Sequence, residues 1–163
     1  MKTAWMSAIL LVSLALVVAA QQPASEETAV KMGGKNISLK YQPIPTASKR
    51  IAGVPASFHT DVNLEIQGLA VPKGDYSLYV LPQGNEWQLI ISKQTGAQAA
   101  TYNQKMDLGR VPMDMKKATT PAGALQMKLA SLGSVAGKLE LTWENTLASV
   151  PFNIDAVKAN PEW

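Results

Sequence analysis

The chain predicts an all-β fold: an antiparallel β-sandwich of about eight or nine strands with one long loop, preceded by a signal peptide. Three observations carry that reading. Apolar and polar residues alternate with period two over most of the chain beyond residue 28, as they do along strands with one buried face. Turn residues interrupt the alternation about every ten positions. No stretch there holds a sustained apolar stripe of helical period, although one or two helical turns are expected between Ala97 and Met106.

At the amino terminus, Lys2 precedes an apolar run from Ile9 to Ala20 that is broken only by Ser13 and closes on Val18-Ala19-Ala20. A positive charge, an apolar stretch and small residues before a polar segment follow the order of a secretory signal peptide. The run is short for a bilayer span of ~20 residues. Cleavage after Ala20 is therefore expected, with no stable membrane span afterwards and a secreted or periplasmic mature chain. Residues 21–28 read as a flexible leader, 29–157 as the β-sandwich domain and 158–163 as a C-terminal tail.

The strands follow in order. Gly33-Gly34 separates the first two, and Ile37, Leu39 and Tyr41 mark the second. Val62, Leu64 and Ile66 mark another, bounded by Gln67-Gly68 and by the tight turn Pro72-Lys73-Gly74-Asp75. Tyr76, Leu78 and Val80 then face Trp87, Leu89 and Ile91 across Pro82-Gln83-Gly84-Asn85, at hairpin distance. Val111, Met113 and Met115 form one set, and Leu125, Met127 and Leu129 another. Leu139, Leu141 and Trp143 follow the Gly133–Gly137 turn, and Val150, Phe152 and Ile154 end the series. Between Lys93 and Arg110, residues 94–109 carry no strand pattern. A connection that long in a compact domain is usually functional or packs as a lid.

Composition removes several chemistries. With no cysteine there are no disulfides, thiolate nucleophiles, lipid-anchored amino terminus or thiolate metal sites. A single histidine disfavours a Ser-His-Asp triad and a multi-histidine zinc site. The net charge of +3 comes from scattered residues such as Lys49-Arg50 and Lys116-Lys117, so nucleic acid is not an expected partner. No catalytic residue, metal or cofactor is assigned.

The stretch from Val71 to Ile154 resembles an uncharacterised family of secreted bacterial proteins, domain of unknown function 2911. The resemblance rests on residues 71–79 (VPKGDYSLY), Glu86-Trp87 with Ile90, and Lys93-Gln94-Thr95-Gly96. It continues through residues 107–113 (DLGRVPM), 139–144 (LELTWE) and Ser149-Val150-Pro151-Phe152. Weaker similarity extends upstream through residues 34–38 and 49–51. The chain departs from the family by passing directly from Gly53-Val54-Pro55 to Phe58-His59-Thr60. A segment with Trp, Arg, Thr-Gly-Ala and Asn-Glu that the family usually carries there is absent. The resemblance implies a secreted β fold and no particular reaction.

The candidate residues cluster around the long loop. Lys93 and Arg110 at its two ends suggest an anion clamp, and Thr95, Tyr102 and Asp107 add polar groups. Asp107-Leu108-Gly109-Arg110 also reads as turn chemistry. Tyr79 falls on the opposite phase from Tyr76, Leu78 and Val80, so it is expected to be exposed, as part of a surface pair or as a platform for a ligand. His59 with Asp61 reads as an exposed or edge-strand histidine or as part of a metal site. Glu140 and Glu144 would lie ~13 Å apart along one strand, beyond the ~6.5–9.5 Å of an inverting glycosidase pair. Met113, Met115 and Met127 read as core. These readings favour a non-catalytic module binding a small ligand or an envelope protein near residues 94–109, through Lys93, Thr95, Tyr102, Asp107, Arg110, Tyr79 and His59. The alternatives are a carboxylate-dependent hydrolase with His59 as base, and an envelope structural or assembly protein joined through edge strands.

Overall fold

The computed structural model describes residues 24–48 and 55–155. The signal peptide and the C-terminal tail expected from the sequence lie outside the described residues. Among those described, no helix is long and apolar enough to cross a membrane.

The described residues form nine strands: β1 (Glu26–Met32), β2 (Lys35–Tyr41), β3 (Ala56–Thr60), β4 (Leu64–Ile66), β5 (Leu69–Val71), β6 (Gly74–Gln83), β7 (Glu86–Ser92), β8 (Asp107–Ser131) and β9 (Ala136–Ile154). All pairings are antiparallel, in the order β1-β2-β3-β6-β7-β8-β9-β4-β5. The sheet is continuous and does not close into a barrel. Instead β8 serves both halves, pairing with β7 through Asp107–Met113 and with β9 through Asp114–Ser131. A strand of this length bends, and the two halves enclose one core that includes Ile37, Leu39, Phe58, Leu89, Ile91, Leu141, Val150 and Phe152. Trp87 and Trp143 are buried in it.

Three departures from the sequence reading have clear causes. Strand β1 begins at Glu26, inside the stretch read as leader. Tyr41 Oη donates to the Glu26 carboxylate, and the ladder pairs Glu26 with Tyr41 from the outset. The Val111 and Leu125 sets belong to one strand, as do the Leu139 and Val150 sets, with an irregular stretch inside each strand separating its two sets. In β9 the buried positions run 139, 141, 143 and then 148, 150, 152. The shift follows Glu144, whose φ of 51° places it in the left-handed region. Opposite it, β8 is irregular between Lys117 and Gln126. The chain after β2 fills that irregularity: Pro45 bridges Ala124, Leu125 N–H donates to Ile44 O (2.8 Å), and Thr46 Oγ1 donates to Gly123 O (3.0 Å). Lastly, β5 has no counterpart among the expected strands, because three residues are too few to show alternation in isolation.

Candidate functional site

Alternation on β2, β3 and β6 sends Ile37, Leu39, Phe58, Tyr76 and Leu78 into the core and leaves a second face to the remaining residues. Register assembles that face into two cross-strand rows. One runs Glu27, Lys40, Ser57, Ser77, Ser92 across β1, β2, β3, β6 and β7. The other runs Ser38, His59, Asp75 across β2, β3 and β6. Thr95 and Gly96, from the start of the long connection, wall one side. The rows short of Ser92, with these two residues, line a cavity of about 340 Å³.

His59 organises this cavity. It lies on β3, an interior strand, and 41% of its side chain is accessible. Its Nδ1 is 2.7 Å from Asp75 Oδ1 and its Nε2 is 2.9 Å from Asp61 Oδ1. A carboxylate at each ring nitrogen is matched only when both nitrogens donate, so the imidazolium is the favoured form. The hydrogen bond to Asp61, then that to Asp75, raises the His59 pKa above its ordinary value. Asp61 is held below its own ordinary value by His59 and by the Asn36 backbone N–H, which donates to Oδ2 at 3.0 Å. Asp61 thus joins the end of β3 to the β1–β2 hairpin, and Asp75 joins β3 to β6. With both nitrogens engaged, His59 offers no lone pair to a metal or to a proton-transfer step. Among the described residues, no group of three or more His, Asp and Glu side chains is placed to hold a metal ion.

The residues singled out around the loop serve a different purpose. Tyr102 Oη donates to Asp107 Oδ2 (2.6 Å), Arg110 Nε donates to the same oxygen (3.1 Å), and Arg110 Nη2 donates to Tyr102 Oη (2.7 Å). Burial and the Asp107 bond raise the Tyr102 pKa, and the Asp107 bond raises that of Arg110. The Tyr102 ring meets Tyr79 edge-on, with centroids 5.0 Å apart. Tyr79 is 2% exposed, and its Oη donates to Ala99 O at 2.6 Å. The expected exposure of Tyr79 is therefore reversed. Its face of β6 is polar at Asp75 and Ser77 but apolar at Tyr79 and its partner Ile90, and the loop covers that apolar part.

Gln94, not anticipated from the sequence, is the loop's inner brace. Its Nε2 donates to Gln98 O and Thr101 O (2.9 Å each), while Oε1 accepts from Asn103 N–H (2.8 Å). The helical turns expected here are short 3-10 turns at Gly96–Ala100 and Gln104–Met106. The Arg110 guanidinium, expected to clamp an anion with Lys93, is engaged by Asp107 and Tyr102. Lys93 is exposed, and its backbone N–H donates to Met106 O.

Of the seven candidates, His59 and Thr95 line the cavity, and Tyr79, Tyr102, Asp107 and Arg110 fasten the loop. Sequence reasoning missed Ser38, Lys40, Ser57, Asp75 and Ser77. A signal existed in their types: the outward phase of these strands carries short hydroxyls where a solvated face more often carries Lys, Glu or Thr. The candidate carboxylates of β9 form no pair, since Glu140 is bridged by Lys138 and the left-handed Glu144 ends the strict alternation between them. Met113 and Met127 are buried in the core, and Met115 packs against it.

The model of one family, described as Protein of unknown function (DUF2911), matches residues 31–152, a span that takes in β2 to β8, most of β9 and the whole wall of serines around His59. No curated protein and no solved structure matches the chain.

Proposed function

The chain belongs to the DUF2911 family of proteins of unknown function, and on the chemistry of the site we propose that it is a non-catalytic, secreted or periplasmic binding module for a small polar solute. The observation that carries this reading is the His59 cavity. Its walls offer hydroxyls from Ser38, Ser57 and Thr95, with Ser77 buried beneath them, a carboxylate from Glu27 and another from Asp75, and cations from Lys40 and His59. Hydroxyls donate and accept, so such a wall suits a solute rich in mixed hydrogen-bonding groups. Phe58 and Tyr76 also line it, each largely buried.

A hydrolase with His59 as its base is disfavoured by the same geometry, because each ring nitrogen already faces a carboxylate. Assembly through edge strands is disfavoured as well. Strand β5 has only three residues, and at β1 the Thr28 hydroxyl accepts from Leu129 N–H of β8 at 3.2 Å.

The test is calorimetric titration with monosaccharides, polyols and amino acids, each monitored for chemical change by mass spectrometry. Binding of at least one solute, unaltered after incubation and abolished by Ser57→Trp in a variant of unchanged melting temperature, is the expected result. Conversion of a solute to product, or binding unaffected by Ser57→Trp, would overturn the proposal.

A further inference from the structure

The cavity at His59 does not end at Ser57. A second cavity of about 530 Å³ adjoins it, sharing Lys40, Ser57 and Gly96, and continues past Ser25, Gln42 and Pro55 to Ala100. The two form one trough along the outer face of β2 and β3. From Ser38 to Gln42, and likewise from His59 to Pro55, the chain advances four residues, or ~13 Å at strand rise. A single small solute leaves most of that length unfilled.

We infer that the trough takes a linear, hydroxyl-rich oligosaccharide of about two or three sugar rings, laid along β2 and β3 with one end at His59. The inference rests on the binding reading above and names the ligand class for the same site. Three features select that class. The floor lies on interior strands whose backbone groups are already paired in the ladders β1–β2, β2–β3 and β3–β6, so an extended peptide finds no edge to join. Recognition must then come from side chains, and beside Lys40, His59 and Gln42 the floor carries short ones, Ser38 and Ser57, with Ser25 at the far end. Short hydroxyls leave room for a ring to lie close to the sheet. Asp75, with 72% of its side chain accessible and one oxygen held by His59, presents a fixed carboxylate to hydroxyl donors. Lys40, Gln42 and Glu27 stand where donors and acceptors are needed farther along.

The experiment is calorimetry with glucose, N-acetylglucosamine and the linear dimers and tetramers of each, on the wild-type chain and on Gln42→Ala. The expected result is that affinity in one series rises at least about tenfold from monomer to tetramer. Gln42→Ala should remove most of that gain and leave the monomer unchanged. Equal affinity for monomer and tetramer would overturn the linear-chain inference while leaving the binding module intact. Binding of an amino acid or polyol with no response to any saccharide would also overturn it. Retention of the full length gain by Gln42→Ala would show that the chain does not follow the second cavity.

Discussion

His59 acts through its two neighbours, and its contribution has a definite pH signature. Its pKa is raised in the fold, so the stability it brings is present below its unfolded value and is lost as pH rises through the folded one. Asp61 is depressed, so its contribution is present above its unfolded value and is lost as pH falls through the folded one. Both therefore operate together between the ordinary carboxylate and imidazole ranges, about pH 4 to 6.5. Melting temperature should be highest in that window and fall on the alkaline side. His59→Gln should flatten the alkaline limb by about 1–3 °C, the scale of an exposed ion pair in a domain of this size. An unchanged alkaline limb in His59→Gln, measured by scanning fluorimetry across pH, would contradict the bridge. Tyr79 makes a buried contact, and Tyr79→Phe removes its bond to Ala99 O and leaves that carbonyl short of a partner. A loss of about 1–2 kcal/mol in denaturant unfolding is expected, together with faster proteolysis within residues 94–106.

The long strands explain how the sheet folds over, and why each shows in the sequence as two short apolar sets. A change of one position in phase sends every later side chain to the other face. The apolar sets around Leu139 and Val150 are in opposite phase and looked unrelated, but the Glu144 irregularity reconciles them within one ladder. Glu144→Gly should therefore be neutral or stabilising by up to about 1 kcal/mol, because glycine adopts the left-handed conformation freely. Glu144→Val should be destabilising, and urea unfolding of the two variants distinguishes the signs. Gly137 makes the complementary case at the start of β9. A Cβ there would fall 2.6 Å from the Phe152 ring and 3.0 Å from Ala130 O, which is backbone. Gly137→Ala should lower stability by about 1–3 kcal/mol. Strand existence was legible in the sequence wherever three alternating apolar residues occur in one phase. Strand continuity was not, because it depends on bulges whose compensation lies in the partner strand.

Across the whole molecule, strand order decides where the site lies. Ser57 and Ser77 are twenty residues apart in sequence and direct partners across β3 and β6, as Ser38 and His59 are across β2 and β3. Nothing in the local patterns specifies those neighbours, so the sequence pointed to the one segment that stood out, residues 94–109. That segment matters as a cover. It is fastened by Tyr102, Asp107 and Arg110, braced by Gln94, and lends Thr95 and Gly96 to the first cavity and Gly96 and Ala100 to the second. His59 and Thr95 could be named in advance as polar groups in unusual places; the hydroxyl rows that give them a context could not. The central claim is that ligands are met by the outer face of β2, β3 and β6 and not by the loop's far end. Amide chemical-shift mapping tests it most directly, with the tetrasaccharide or small solute that calorimetry selects titrated into the labelled protein. The account predicts shifts concentrated at Ser38, Lys40, Ser57, His59, Asp75 and Thr95, and shifts concentrated at Lys93, Tyr102, Asp107 and Arg110 would contradict it.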